Sequence, residues 1–383
     1  MRTTSKIELS QSALMNNIDF IRSQIGPDVR ISSVVKGNAY GHGIRQFVPM
    51  AEKAGIDHFS VFSANEASAV KESAENYPEI MIMGWLDNAE LEWAVKSGIS
   101  FWIFDPERLD HAIAVSKKSK HKARIHLEIE TGMNRTGLDD TELEYVVRKV
   151  LDNSAYLELE GICTHYAGAE SISNFVRVHR QISRFNKTYK KITQLGLKPK
   201  IRHTASSAAA MSYPRTRMDM VRIGIMQYGL WPSIESLIQY LHGKSYNHDP
   251  LNRVISWKSK VMSLKNVQQG EFVSYGTTYL ATEPKRIAVV PVGYSHGYSR
   301  MLSNQGRVLI RGQRIAVIGM VNMNMFIADV TNIPEVKIGD EVVIIGRQED
   351  FEISVASFSE ISAQVNYELL ARLPMNTSRE VVN

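Results

Sequence analysis

The chain has 383 residues, 44% of them hydrophobic and 22% charged, with a formal net charge of +5. This is an ordinary soluble composition, long enough for two domains. Its dispersed lysines and arginines form no basic stripe for nucleic acid, and no apolar run approaches the ~18 residues of a membrane span. The single Cys163 excludes an intrachain disulfide and a cysteine metal site, and it sits in an apolar run as a core residue. No metal site is expected. Residues 1–10 lack the apolar stretch of a signal peptide, so the chain as given reads as cytoplasmic, with no membrane partner.

In chain order, residues 1–10 end in an alternating Ile7 and Leu9 and read as an edge strand, followed by a helix over 11–25. Short apolar runs then recur at Ile31–Val35, His58–Phe62, Ile80–Gly84, Ile99–Phe104, Arg124–Ile129, Leu157–Thr164, Lys200–His203 and Met220–Ile225. Helical spacing separates them at Ile44–Ala54, Asn65–Ala74, Asn88–Lys96, Pro106–Lys117, Asp140–Leu151, Ser173–Leu195 and Ala205–Met211. This alternation predicts an α/β fold, a (β/α)8 barrel over residues 11–240, with an open doubly wound sheet as the alternative.

The pattern breaks at Tyr240–Pro250, which reads as a linker. Residues 250–383 then read as a mostly β domain, which residues 1–10 join. Its expected strands are Arg253–Leu264, Glu271–Leu280, Arg286–Val292, Arg307–Ile310, Arg314–Ile318, Met325–Val330 and Glu341–Ile345, with a helix near Ser354–Ser362 and a strand near Tyr367–Leu373.

A barrel places its active site at the C-terminal ends of its strands. The first run ends in Lys36, and a loop with three glycines follows, Gly37-Asn38-Ala39-Tyr40-Gly41-His42-Gly43. A solvated lysine is the simplest interpretation. In a partly dry site, however, the amine loses its proton easily and can bond to an aldehyde, while glycine-rich backbone suits a phosphate. Together these point to pyridoxal 5'-phosphate. Other polar residues fall at strand ends: Glu128, Glu130 and Arg135 after the fifth run, His165 and Tyr166 after the sixth, Ser206 and Ser207 after the seventh, and Arg222, Gly224 and Ile225 at the eighth. Ser207 and the Gly224 and Ile225 amides lie where barrels bind phosphate. In the fifth run Ile125, Leu127 and Ile129 alternate with His126, Glu128 and Glu130, giving one ionisable face.

Residues 35–43 resemble the lysine motif of the alanine racemases, V-K-A-N-A-Y-G-H-G, with Gly37 in place of the alanine. Thr131–Gly137 resembles their D-T-G-M-N-R-x-G, Thr164–Ala167 their strand-six histidine segment, and Val221–Gly229 their V-R-x-G…Y-G. Val273–Tyr279 matches V-S-Y-G-x-T-Y, while Gly293–Gly297 and Asn322–Asn324 match two further segments. The resemblance covers nearly the whole chain. It implies an enzyme that interconverts L- and D-alanine with pyridoxal 5'-phosphate by two bases.

By that resemblance Lys36 holds the cofactor and is one base, with Tyr40 beside it on the cofactor-binding side. Tyr275, entering from the partner of a homodimer, is the other. The two are needed because the proton leaves one face of a planar centre and returns on the other. Arg135 contacts the cofactor hydroxyl and substrate carboxylate, as a guanidinium fork suits. Arg222 faces the pyridine nitrogen and leaves it unprotonated, a weaker electron sink that favours return of the proton. His165 bonds that arginine, and the Met323 N–H meets the substrate carboxylate. Tyr294 narrows the entrance.

Departures are also present. Glu128 stands where many relatives carry a carbamylated lysine and is expected to orient Arg135 directly or through a water. His296 replaces an aspartate, Asn322 and Asn324 replace cysteine and aspartate, and Met375 replaces a phosphate-contacting tyrosine. The two asparagines keep a broader serine or lysine racemase open. A barrel-type decarboxylase and a non-catalytic carrier of the cofactor are the remaining alternatives. Arg222 argues against the first and residues 250–383 against the second.

Overall fold

The computed structural model describes residues 4–244, 248–358 and 366–383. The chain divides into two compact units. A barrel unit comprises Ala13–Lys36 and Val48–Asn252, and a β unit comprises Met1–Ser12, Gly37–Phe47 and Arg253–Asn383. The first strand, β1 (Ser5–Ser10), belongs to the β unit.

The barrel unit carries eight parallel strands: β2 (Arg30–Val34), β3 (His58–Val61), β4 (Glu79–Ile82), β5 (Ser100–Ile103), β6 (Ala123–Glu128), β7 (Leu157–Cys163), β8 (Ile201–His203) and β9 (Met220–Ile223). Their order is β8-β7-β6-β5-β4-β3-β2-β9. At the seam between β8 and β9 a single bridge joins Ser206 to Arg222, and the Arg222 N–H donates to the Ala205 carbonyl at 2.9 Å. The (β/α)8 expectation is therefore met. Such strands are buried on both faces, which is why they read as short apolar runs. The intervening helices start on local signals. Asp87 Oδ1 accepts from the Glu90 N–H at 2.8 Å, and Glu90 Oε2 accepts from the Asp87 N–H at 3.0 Å. Cys163 is buried, in a cluster with Met81, Trp102 and Met220.

In the β unit one sheet runs Gln313–Ala316 (β14), Arg307–Ile310 (β13), Glu341–Gln348 (β16), Ile255–Lys260 (β10), β1 and Ser378–Val382 (β18). Phe351–Ile353 (β17) pairs with β16. A second sheet holds Ser263–Val267 (β11), Lys285–Val290 (β12) and Phe326–Asp329 (β15).

Four expectations change here. β1 is not an edge, because it pairs antiparallel with β10 and parallel with β18, a short terminal strand the sequence pattern did not reveal. The run at 253–264 is two strands, β10 and β11, in different sheets. Residues 271–280 form a loop closed by a Phe272–Leu280 bridge. The strand expected near 367–373 is a helix, Asn366–Ala371, since Leu369, Leu370 and Leu373 bury at helical spacing. The expected helix near Ser354–Ser362 runs into 359–365, and the expected linker includes 245–247; both segments lie outside the described residues. Among the described residues no helix is long and apolar enough to cross a membrane.

Candidate active site

Lys36 follows the end of β2, and the strand end is fixed from the turn that follows β9. The Val34 carbonyl accepts from Gln227 Nε2 at 3.1 Å and from the Tyr228 hydroxyl at 2.9 Å, and Ser33 Oγ donates to Gln227 Oε1 at 2.7 Å. Lys36 itself stays solvent-accessible. Its ammonium is nonetheless destabilised, first by the protein packed around the amine, then by the positive charges of Arg135 and Arg222, with Glu66 opposing. The amine thus loses its proton more easily than a free lysine.

Arg222 is anchored from several sides. Its guanidinium donates to His203 Nδ1 at 2.7 Å, to the Thr164 carbonyl at 2.7 Å and to the His203 carbonyl. It also sits 5.3 Å above the Trp102 ring. The bond expected from His165 is not among its contacts. His203, which sequence reasoning passed over as the end of a short strand, takes that place. His165 follows β7 half-buried, its pKa lowered to about 3 by burial and by Arg222, Arg135 and Lys36, so its ring is neutral.

Glu128 is buried, and its Oε2 has no hydrogen-bond partner among the described residues. Burial raises its pKa against the Thr136 hydroxyl and the charges of Arg135 and Arg222. Arg135 is exposed and forms neither an ion pair nor a hydrogen bond among the described residues, so the direct Glu128–Arg135 contact is not made. What shapes the Arg135 loop is Glu130, whose carboxylate accepts from the N–H groups of Gly132, Met133 (2.8 Å) and Asn134 (2.9 Å). At the seam, Ser207 Oγ accepts from the Gly224 N–H at 3.0 Å, while the buried Ile225 N–H has no acceptor among the described residues.

The segment after Lys36 belongs to the β unit and is unusual. Gly37, Asn38, Ala39 and Tyr40 all have left-handed backbone, with φ of 63°, 53°, 54° and 51°. Left-handed geometry costs a non-glycine residue roughly 1–2 kcal/mol, so surrounding structure must enforce it. Buried Arg379 on β18 does so: its Nε and Nη2 donate to the Gly41 carbonyl at 3.0 and 2.9 Å, and its Nη1 donates to the Thr377 carbonyl at 2.8 Å. Gly41 is required, since a Cβ there would lie 1.8 Å from the Leu370 carbonyl oxygen. The Tyr40 ring packs edge-on to Tyr367 at 5.9 Å, and burial raises its phenol pKa. Met375 is exposed.

The β unit also gathers Tyr275, Tyr294 and Met323 around one cavity of about 520 Å³, together with Asn322, Asn324 and Arg300. Arg300 carried no sequence signal. Val273 and Ala281 anchor the 271–280 loop in a core with Ile287, Ile318 and Ile327, leaving Tyr275 at its tip, 72% exposed. Ser274 Oγ ties that tip to the Met320 carbonyl at 2.7 Å and to Asn322 Oδ1 at 3.1 Å. Asn324 Nδ2 donates to Ser295 Oγ at 3.1 Å, and Ser295 Oγ donates to the Met323 carbonyl at 2.7 Å. The Met323 N–H has no acceptor among the described residues. His296 Nδ1 accepts from the Gly293 N–H at 3.2 Å, which closes the Tyr294 turn.

Comparison with known proteins adds to this geometry. Residues 9–232 match the family model "Alanine racemase, N-terminal domain", and residues 254–381 match "Alanine racemase, C-terminal domain". The chain belongs to the alanine racemase family. An alanine racemase of Leptospira interrogans is 34% identical over 380 residues, 99% of this chain and 96% of that protein. One from Methanococcus maripaludis is 32% identical, over 96% of each. The Bacillus anthracis alanine racemase with bound L-Ala-P superposes with a TM-score of 0.91 at 30% identity, covering 100% of this chain and 96% of that one. The Bartonella henselae enzyme with covalently bound pyridoxal phosphate superposes at 0.83 and 25% identity over 100% of both chains. The chain is accordingly an amino-acid racemase of a pyridoxal-phosphate-dependent family.

Proposed function

We propose that this racemase interconverts L- and D-alanine, with pyridoxal 5'-phosphate held at Lys36 and with Lys36 and Tyr275 as the two bases. The observation that carries this reading is the placement of Lys36 just past the anchored end of β2, its easily deprotonated amine near Arg135, Arg222 and His165. The barrel residues fit the group: a lysine primed to lose its proton, an unclaimed buried Ile225 N–H beside Ser207 and Gly224, and a donor-only guanidinium at Arg222. Bound there, the cofactor would withdraw electrons from the substrate Cα and make its hydrogen acidic.

The protein's residues then divide the work. Lys36 takes or returns a proton on one face, and Tyr275 of the partner subunit does so on the other, in a homodimer. Arg135 and the Met323 N–H hold the substrate carboxylate, and Tyr294 narrows the way in. Tyr40 and His165 pack against the cofactor, with His165 neutral. Arg222 stays charged and gives the pyridine nitrogen no proton. Glu128 holds Arg135 through an intervening water.

Alanine is favoured over a larger polar substrate because Asn322 Oδ1 and Asn324 Nδ2 are each held by a neighbouring serine, Ser274 and Ser295, rather than turned to a substrate side chain by any further bond among the described residues. The test is D-amino-acid formation from each L-amino acid, with the absorbance of the bound cofactor recorded for wild type and Lys36→Ala. Alanine turnover and a covalent cofactor band in wild type, both lost in the variant, are expected. A Lys36→Ala enzyme that keeps both contradicts the reading.

A further inference from the structure

The barrel interior holds a row of hydrogen bonds whose direction is set from one end. Arginine only donates. Arg222 Nη1 lies 2.7 Å from His203 Nδ1, so that nitrogen accepts and carries no proton. The ring proton of neutral His203 is therefore on Nε2, which lies 2.9 Å from His126 Nδ1 and donates to it. His126 in turn carries its proton on Nε2, 3.3 Å from Ser100 Oγ. The Ser100 hydroxyl passes its own proton to the Ile80 carbonyl at 3.1 Å. His203, His126 and Ser100 each receive one bond in the row and give one, and the row runs one way from Arg222 on β9, through β8 and β6, to β5 and β4.

Nothing in this row is exposed: His126, His203, Ser100 and Arg222 are all buried. Burial, with Arg222 nearby, holds both imidazoles well below their usual pKa, so they stay neutral. A proton on His203 Nδ1 would set one donor against another at Arg222. The backbone makes room for the ring pair. Gly161 stands opposite His126 in the β6–β7 register, and a Cβ there would lie 2.5 Å from His126 Nδ1. A side chain at 161 would collide with the atom that receives His203.

We infer that His126 is a positioning residue for Arg222, acting through His203: by accepting at Nδ1 it fixes the His203 tautomer, and so keeps the His203 Nδ1 lone pair directed at the Arg222 guanidinium. This rests on the proposed role of Arg222. An apolar side chain at 126 would leave the His203 Nε2–H buried without an acceptor and free the ring to flip or change tautomer. An asparagine would still offer an acceptor near the Nδ1 position.

The row is testable first without cofactor. In the cofactor-free protein labelled with 15N-histidine, His126 and His203 are expected as neutral rings protonated on Nε2. His126→Leu is expected to shift the His203 signal away from that tautomer, and His126→Asn to retain it. In the holoenzyme His126→Leu is expected to move the bound-cofactor absorbance band and lower kcat about tenfold with KM for alanine little changed, while His126→Asn recovers both. Should His126→Leu fail to fold, Ser100→Ala and Gly161→Ala disturb the same row from either side and are read the same way.

Charged or Nδ1-protonated rings in wild type overturn the inference. So does a His126→Leu enzyme, or in its place both substitute variants, with the His203 tautomer, cofactor band and kcat all as in wild type. Failure of the underlying reading looks different: the wild-type band would then be insensitive to Arg222→Gln, while the histidine signals still show the row.

Discussion

The two groups of site residues are built in opposite ways. In the barrel unit Arg222 is buried and bonds three residues at once, and the strand end before Lys36 is pinned from the turn after β9, although Lys36 and Arg135 themselves stay exposed. In the β unit the groups stand on loop tips, with Tyr275, Tyr294 and Met323 all exposed and only the loop bases packed. Fixed charges at the barrel mouth suit the task of holding a cofactor and setting its charge. Exposed side chains on loop tips suit residues that meet a second molecule or a second subunit. Stability and chemistry are therefore entangled in the first group and separable in the second.

That contrast can be broken at the exposed phenol first. Tyr275→Phe is expected to lower racemisation by roughly 10²–10⁴-fold while leaving the melting temperature unchanged, because only a hydroxyl is removed and the ring is kept. The loss should be asymmetric, larger for proton abstraction from one enantiomer, as read by α-proton exchange in heavy water. Equal exchange from both enantiomers would count against two bases.

Gly41→Ala tests a packed segment of the β unit, the turn after Lys36, where stability and chemistry should not separate. The added methyl meets the Leu370 carbonyl at 1.8 Å. A stability loss of several kcal/mol, on the order of an overpacked core, should appear in chemical denaturation together with weaker cofactor retention. A neutral result would show that the turn is less constrained than its contacts indicate.

Acid stability sharpens the barrel side of the comparison. Burial lowers the His58 pKa from 6.5 to about 4, with the Arg30 charge adding and Glu79 and Asp57 opposing. Below 6.5 the unfolded chain binds a proton the folded one refuses, so stability falls as pH drops through that window toward 4. One such site contributes about 1.4 kcal/mol per pH unit. His58→Asn should flatten the stability profile between those limits by one proton; an unchanged slope removes His58 as a cause.

Glu128 has the opposite sign. Its raised pKa means the folded state binds a proton the unfolded state has released, so the carboxylate costs stability above its ordinary pKa of 4.5. Glu128→Gln should melt higher than wild type at neutral pH and no higher in acid, with poorer alanine binding through Arg135. Unchanged kinetics would release Glu128 from its positioning role.

Much of the barrel was legible because buried parallel strands leave short apolar runs between helices of regular spacing, and the Lys36, Arg135 and Arg222 segments announced themselves as motifs. The polar face of His126 and Glu128 was also visible as alternation along one strand. What that alternation could not say was where His126 points its ring nitrogens, since His203 comes from a strand 77 residues away. The β unit was less legible. The 271–280 loop imitates a strand because Val273 and Tyr279 face the same core from opposite arms. β18 pairs with β1 from the other end of the chain, a contact no local pattern encodes.

The smallest expected effect concerns Gly37, where the chain departs from its relatives. Its φ of 63° favours glycine, and a Cβ has room, with its nearest neighbour 3.9 Å away. Gly37→Ala should therefore cost only about 1 kcal/mol, measured by denaturant midpoint, with turnover nearly unchanged.

The most direct test asks whether Lys36 and Tyr275 act from different subunits. Lys36→Ala and Tyr275→Phe chains, each inactive alone, can be co-expressed and the mixed dimers assayed for D-alanine formation. In a symmetric dimer whose sites draw one base from each chain, half the molecules are mixed and carry one intact site of two, so activity should return to about a quarter of wild type. Activity no greater than the sum of the two variants alone would contradict the shared site.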